Sequence, residues 1–262
     1  MTRLRAASIA AIACATSLLL ARIHPFGDAG LYAAHIARAP ILEGASVPPD
    51  VRSLLTAKCA NCHSSQSHSP LYGRFAPISW LMERDIVAGR RHMDLSRWDS
   101  DSPEQQETLK AKIVQQAKSR NMPPLQYRLV HWDARITAAD IQALSRWTHD
   151  ASSSAAELDT QATAPGDPMR GQAVFEKRCT GCHALTVNRE GPRLDGVYGR
   201  TAGAVAGFPY SDALKNAKIA WDDRTLEKWL TDPDAFLPGN NMDFHVPKAQ
   251  ERRDIIAWFK QR

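Results

Sequence analysis

The alternation of apolar and polar positions along the chain predicts helices throughout, and the first is strongly apolar. Ala6 to Ala21 form an uninterrupted run of 16 apolar or weakly polar residues, which follows Arg3 and Arg5. This length lies between the core of a secretory signal and the ~20 residues of a bilayer span. Residues 1–24 are therefore predicted to be a signal peptide or a signal anchor. The lack of a convincing small-x-small cleavage site behind the run favours the anchor.

Residues 45–150 carry apolar positions at helical spacing, with capping patterns that predict where helices begin. Ser102-Pro103-Glu104-Gln105 combines a serine cap, a proline at the first helical position and a glutamine at the third. Thr137-Ala138-Ala139-Asp140 is a second capping pattern. A helix that follows Pro77 is predicted to stop at Gly89. Because no hairpin signal interrupts the segment, it is predicted to be a helical domain.

Residues 151–166 lack apolar positions at helical spacing, and they separate residues 45–150 from a second helical segment. Small and polar residues dominate there without apolar periodicity, which predicts a flexible linker. A surface loop packed across both neighbouring domains is the alternative. In residues 167–262 apolar positions lead a helix into Cys179 and return in the closing segment from Ile255 to Phe259. The predicted fold is therefore all-α, with two domains behind an N-terminal helix.

Composition and charge narrow the functional classes. The chain has 262 residues, of which 44% are hydrophobic and 23% charged, as is usual for globular proteins. The formal net charge of +5 is spread thinly along the chain, without a run of five like charges. A nucleic-acid partner is therefore not expected.

Two pentapeptides carry the chemistry of this chain. Cys59-Ala60-Asn61-Cys62-His63 and Cys179-Thr180-Gly181-Cys182-His183 both read C-x-x-C-H, the attachment signature of c-type haem. Two thiols at this spacing can bond the two vinyl groups of one porphyrin, and the histidine ligates the iron. The sequence therefore predicts two covalently bound haem c groups, with His63 and His183 as proximal ligands.

Other interpretations of the cysteines fit less well. A zinc ribbon pairs two C-x-x-C knuckles about 15–20 residues apart, whereas Cys62 and Cys179 are much farther apart. A thioredoxin-like redox motif needs an alternating strand–helix pattern, which the sequence lacks. A disulfide framework lacks thiols, because only Cys14 remains outside the two motifs.

The sixth ligand of the first iron is less well determined by the residues. Met122 is favoured, because it follows a predicted helix end in Asn121-Met122-Pro123-Pro124 and two prolines would stiffen that loop. A histidine ligand and an open or water-bound iron both remain alternatives. The other candidate side chains are His68, His92, Met93 and His131.

Residues 45–150 resemble a small bacterial haem-binding domain family. The shared elements are the Val47-Pro48-Pro49 approach to the first motif, Ala76 to Leu81, Leu95 to Trp98, Met122-Pro123-Pro124 and the closing helix to Trp147. The activity of this family is poorly defined. The resemblance therefore implies haem binding and little more.

Residues 167–262 resemble class I cytochrome c from end to end. Gly171, Phe175, Ile255 and Trp258 match the positions at which the terminal helices of that family cross. The loop Gly191 to Arg200 matches the family segment in which a proline carbonyl accepts the free N–H of the proximal histidine. The resemblance assigns that role to Pro192.

The same resemblance implies the remaining contacts of the second haem. Arg200, Tyr210 and Trp221 should hydrogen-bond or counter the haem propionates, although plain aromatic packing would also explain the last two. Met242, in Pro238-Gly239-Asn240-Asn241-Met242, should be the sixth ligand. His/Met ligation raises the reduction potential and leaves no free site, so it suits electron transfer.

Several positions depart from the class I pattern. Trp229 stands where the family carries a tyrosine beneath the methionine sulfur, and Leu214 replaces a polar residue near the propionates. The family's ring of lysines is missing, with Asp234, Ala235 and Asn241 in the equivalent region. Such lysines steer docking onto acidic partners. The domain is therefore expected to recognise a different surface, with its own N-terminal domain as one candidate.

These features together predict a di-haem electron carrier with an unknown donor and acceptor. Because c-type haem is attached after export, a periplasmic location is expected, with attachment to the inner membrane through the uncleaved N-terminal helix. No catalytic acid or base pair is visible. Three alternatives remain: a peroxidase-like enzyme or a gas sensor that uses an open first haem, and an electron-transfer subunit of a larger complex.

Overall fold

The computed structural model describes residues 2–27, 29–31, 39–156 and 164–262. Within these ranges the chain is all-α, as predicted, with helices joined by loops and one isolated bridge between Thr201 and Ala220. The chain divides into two compact units, Met1–Asp101 and Ser102–Arg262. Each unit has its own core, and each is described separately.

The first unit begins with the exposed helix α1 (Thr2–Leu20). Its segment Arg3–Leu20 is long and apolar enough to cross a membrane, and none of it is buried. The unit continues with α2 (Pro49–Lys58), α3 (Ala60–His63) and α4 (Ile78–His92). Two 3-10 helices, Leu71–Arg74 and Leu95–Ser100, complete it. Its core includes Leu42, Leu55, Ile86, Leu95 and Trp98, none more than 1% exposed.

Helix α4 does not stop at Gly89, so that prediction is wrong. The helix continues through Gly89 to His92. A Cβ atom at position 89 would lie 3.0 Å from the Cys62 carbonyl oxygen and 3.4 Å from Cε1 of His63. The glycine therefore permits close approach of α4 to the first C-x-x-C-H motif, and it does not end the helix.

The second unit contains the other eight described α-helices. They are α5 (Pro103–Lys118), α6 (Leu125–Val130), α7 (Ala138–Ala156), α8 (Pro168–Arg178), α9 (Asp212–Asn216), α10 (Asp223–Thr231), α11 (Pro233–Phe236) and α12 (Ala249–Phe259). Both predicted capping patterns are present: Ser102 and Gln105 exchange the two bonds of a capping box, and Asp140 N–H donates to Thr137 Oγ1. Local side-chain chemistry thus starts α5 and α7.

Helix α7 is longer than the sequence predicts. It runs to Ala156, so the first six residues of the predicted linker 151–166 are helical. Residues 157–163 of that linker lie outside the described residues.

Helices α8 and α12 pack against each other through Gly171. A Cβ atom at this position would contact the Asp254 carbonyl oxygen of α12 and lie 2.8 Å from the Trp258 Cβ. The ring centroids of Phe175 and Trp258 are 4.7 Å apart across the same crossing. Only a residue without a side chain permits this helix separation. The crossing brings α8, which leads into the second motif, onto the buried face of the closing helix.

Candidate functional site

The second C-x-x-C-H motif forms a tight turn at the end of α8. The amide groups of Cys182 and His183 donate to the Cys179 carbonyl at 3.1 and 2.8 Å. Burial raises the pKa of Cys179 to about 12 and that of Cys182 to about 11. Both groups are therefore neutral thiols near pH 7, unlike the low-pKa thiolate of a redox dithiol. Neutral thiols next to a histidine fit thioether attachment to haem.

The imidazole of His183 is oriented by the loop that follows the motif. Nδ1 lies 2.7 Å from the Pro192 carbonyl oxygen, which can only accept, so Nδ1 carries the proton. A Cβ atom on Gly191 would contact the His183 ring, so this glycine lets the loop pack flat against it. Burial lowers the pKa of His183, which keeps the imidazole neutral. Its Nε2 lone pair is thus prepared for a metal ion.

Met242 lies in a loop that a buried asparagine holds in place. The Asn240 side chain is buried; its Nδ2 donates to the carbonyls of Pro233 at 3.0 Å and Leu237 at 2.9 Å. Its Oδ1 accepts from the Met242 amide at 2.7 Å. Met242 packs against the hydrophobic core of α8, α10 and α12. The sequence analysis did not assign Asn240 this role in holding the loop, although its position in the Pro-Gly-Asn-Asn turn could have indicated it.

The three residues assigned to the propionates lie close together. Backbone bonds join Arg200 and Trp221, because the Trp221 amide donates to the Arg200 carbonyl at 3.0 Å. The Arg200 guanidinium donates to the carbonyls of Asp195 and Arg193, each at 2.9 Å. Burial raises the pKa of Tyr210, and the nearby Arg200 charge opposes that rise. The Trp221 ring packs on Trp229 with centroids 5.2 Å apart.

The first motif is built in the same way as the second. The His63 amide donates to the Cys59 carbonyl at 3.0 Å, and burial raises the pKa of Cys62 to about 11. His63 Nδ1 donates to the Met93 carbonyl at 3.1 Å, and burial lowers the pKa of His63. Gly89 takes the place that Gly191 has at the other site. Neither the Met93 carbonyl nor the role of Gly89 was predicted, because both belong to α4 and its end.

Met122 belongs to the second compact unit, whereas His63 belongs to the first. The assignment of Met122 as the sixth ligand of the first iron therefore stays a prediction. The side chain is 42% exposed and borders a cavity of about 290 Å³. The cavity is lined by apolar and basic side chains: Ala117, Leu125, Leu129 and Ile136, with Arg120, Arg128 and Arg135. Sequence reasoning missed this combination of residues.

Helix α5 covers one side of the second motif. A Cβ atom on Gly181 would contact the Thr108 side chain, and Gln115 Nε2 donates to the Glu190 carbonyl at 2.6 Å. At the far end of the helix, Lys118 Nζ donates to Asp234 Oδ2 at 2.6 Å. Asp234 marks the region where the class I family carries its lysines, and here it is paired within the same unit.

The described residues fit a covalently bound haem at each motif. Each site offers two free cysteine thiols and an imidazole whose Nδ1 is hydrogen-bonded to a backbone carbonyl. At the second site a core methionine stands on a fixed loop. Thiols, imidazole and thioether are the donor set by which proteins attach and ligate c-type haem.

Comparison with known proteins supports this assignment. Residues 31–150 match the family model described as a haem-binding domain, and residues 168–262 match the one described as cytochrome c. Cytochrome c of Euglena viridis is 49% identical over 98 residues, 36% of this chain and 96% of the relative. Cytochrome c of Chlamydomonas reinhardtii is 41% identical over 109 residues, 40% of this chain and 97% of the relative.

Among solved structures, cytochrome cH from Methylobacterium extorquens is 38% identical, with a TM-score of 0.36. The match covers 37% of this chain and 100% of that chain. From its C-terminal sequence and its haem-attachment motif, this chain belongs to the cytochrome c family of haem electron-transfer proteins.

Proposed function

We propose that the protein is a di-haem c-type cytochrome that carries electrons between redox partners in the periplasm. The observation that carries the proposal is the common construction of the two motifs. In both, a backbone carbonyl accepts from the Nδ1 of the motif histidine, at 3.1 Å for His63 and 2.7 Å for His183. A glycine also lies beside each motif: a Cβ atom on Gly191 would contact the His183 ring, and one on Gly89 would lie 3.0 Å from the Cys62 carbonyl oxygen. A single-haem protein would have no use for the second arrangement.

Methionine is proposed as the distal ligand at both haems: Met122 at the first and Met242 at the second. A bound haem supplies a one-electron iron couple, and His/Met ligation raises its potential. The chain itself orients the imidazoles, excludes water and places charge near the propionates.

Helix α5 packs against the second motif within the second unit. It lies within residues 45–150, the predicted first haem domain, yet it contacts Gly181 and Glu190 beside the second motif. Two further ion pairs, Glu107 with Arg178 and Glu104 with Lys177, each measure 2.8 Å along the same face. The proposal includes transfer of electrons within the chain from one haem to the other, and then to an external acceptor.

A second candidate function follows from the exposure of Met122. A ligand that is 42% exposed beside a cavity is easier to displace than one in a core. Displacement would open the first haem to peroxide or to a diatomic gas, as a peroxidase-like enzyme or a sensor requires. The two candidates differ in one measurable property, the lability of the first haem's sixth ligand.

The test is carbon monoxide binding to the fully reduced, full-length holoprotein. For a carrier we expect two haems and no change in the visible spectrum, because both irons are six-coordinate. We expect Met122→Ala to open one haem, which then binds carbon monoxide within the mixing time and changes its spectrum. Met169→Ala is the matched control, because that methionine is 85% exposed and lies outside both sites.

The outcomes separate the candidates. Rapid carbon monoxide binding by one haem of the wild-type protein would favour the enzyme or sensor. An unchanged spectrum in the Met122→Ala variant would show that another group ligates the first iron.

The N-terminal segment is proposed to remain attached as a membrane anchor. Residues just behind α1 take part in the fold of the first unit: Trp80 Nε1 donates to the Ile23 carbonyl at 2.7 Å, and His24 Nδ1 lies 2.8 Å from Glu83 Oε1. The Glu83 side chain is completely buried. Removal of His24 would leave that carboxyl group without this partner, and an unpaired buried acid is costly.

We expect the intact mass of the purified holoprotein to include residues 1–24, and the protein to fractionate with membranes. Replacement of residues 1–20 by a cleavable signal peptide should keep export and the His24–Glu83 contact but release the protein into the soluble fraction. A mature mass that begins behind His24 would contradict the anchor.

A further inference from the structure

Three side chains outside the haem sites converge in the second unit. They are His149 of α7, Asp232 at the start of α11 and His245 in the loop before α12. One ligand atom from each lies within 4.8 Å of the other two. The histidine rings meet edge to face with centroids 4.2 Å apart. Elements distant in sequence thus bring two imidazoles and one carboxylate to one place.

The two histidines carry nitrogen atoms that the described structure leaves without a hydrogen bond. Nε2 of His149 and Nε2 of His245 are both shielded from solvent and both lack a partner. A buried polar atom without a partner costs free energy, and most such atoms in folded proteins are satisfied. Burial lowers the pKa of His245, and the neighbouring His149 acts in the same direction. Neutral imidazoles are the form that binds metal ions.

The charge around these nitrogens is unbalanced. Asp243 is fully buried and accepts from Lys118 at 2.7 Å, Thr148 at 2.6 Å and Ser145 at 3.2 Å. The same Lys118 ammonium also donates a hydrogen bond to Asp234 Oδ2 at 2.6 Å. One ammonium therefore faces the carboxylates of Asp234 and Asp243, and the carboxylate of Asp232 lies against the histidines. The cluster can accommodate further positive charge.

We infer that His149, Asp232 and His245 form a binding site for a divalent transition-metal ion of the zinc class. Two imidazoles and a carboxylate are ligands typical of Zn²⁺, whereas Mg²⁺ and Ca²⁺ prefer sites made of oxygen atoms. Three protein ligands leave one position of a tetrahedral ion for water. The ligand atoms, which lie within 4.8 Å of one another, would have to draw closer around the ion. The carboxylate of Asp243, 4.0 Å from His149 Nε2, is the nearest further acceptor.

Such an ion would join α7 to the loop that carries Met242. His245 follows Met242 by three residues, and Asp243 is already bonded to Thr148 of α7. The metal site would add a second link between the same two segments. It is therefore expected to stabilise the second unit, because a ligand that binds only the folded state shifts unfolding by mass action.

The test is calorimetric titration of tag-free holoprotein with Zn²⁺, in a Cys14→Ser background that removes the free thiol outside the motifs. We expect one saturable site. His149→Gln and His245→Gln should each weaken Zn²⁺ binding on the order of 100-fold or more, since even loss of groups behind the ligands costs about 10- to 100-fold. Asp232→Asn should also weaken binding while it keeps an oxygen for the Ala235 amide. Glu43→Gln is the control, because Glu43 is exposed, lies outside both haem sites and is distant in sequence from the cluster.

Visible spectra with a haem count establish that each variant is folded and loaded. His149 lies on α7, so His149→Gln leaves the sequence of the Met242 loop unchanged and keeps the test valid if His245→Gln disturbs that loop. Three results would overturn the inference: no saturable Zn²⁺ binding, binding that survives both histidine substitutions, or equally tight binding of Mg²⁺. A bound water between the two imidazoles would then be the better account of the cluster.

Discussion

Substitution of Met242 by alanine is expected to lower the reduction potential of the second haem on the order of 0.2 V, within the ~0.8 V that axial ligands span. The physical reason is loss of a thioether, the ligand that raises the potential of His/Met haem. The Asn240 side chain still bonds the loop backbone through the Met242 amide, so the loop should keep its shape. Redox titration followed by visible spectroscopy measures the change.

The same variant should also bind carbon monoxide at the second haem when reduced, because alanine leaves the sixth position open. Met169→Ala serves as the control here too, since a thioether is removed at an exposed site. An unchanged potential together with unchanged carbon monoxide resistance would show that Met242 is a core residue and that another group ligates the second iron.

Gly171→Val is expected to destabilise the second unit by at least about 3 kcal/mol, the upper part of the usual range for overpacked cores. The new side chain would meet the Asp254 carbonyl and the Trp258 Cβ, which are backbone and near-backbone atoms of α12. Neither can move unless the two helices separate. Helix separation would in turn expose Phe175, which is 4% exposed in the native packing.

Urea unfolding of the holoprotein, followed by far-ultraviolet circular dichroism, gives the free energy of unfolding for this prediction. Gln172→Val is the matched control, because it adds the same β-branched residue at the neighbouring exposed position of α8. It should cost below about 1 kcal/mol, the helix-propensity difference. A loss for Gly171→Val no larger than that of the control would contradict the close helix contact.

Features that depend on short-range interactions could be predicted from the amino-acid sequence. Helix starts at Ser102 and Thr137 follow from side-chain bonds to amides three residues away, and both are present. The C-x-x-C-H motifs specify their chemistry in five residues, so the two haem-binding segments needed no structure to be recognised. The all-α class follows from helical periodicity, which is likewise local. Resemblance to class I cytochrome c also placed Pro192 beside His183.

Contacts between groups that are distant in sequence could not be predicted, because they depend on how the helices pack. The Met93 carbonyl accepts from His63, which lies 30 positions away in the sequence. Gly89 was mistaken for a helix end because the close contact that requires a glycine there is made with another segment, the first motif. Lys118 reaches Asp243, and His149 reaches His245, only because α5 and α7 pack within the same unit as the Met242 loop. A pattern of apolar positions predicts which face of a helix is buried, but not which element packs against that face. Packing chooses the partner, and with it the polar contacts and charges around each site.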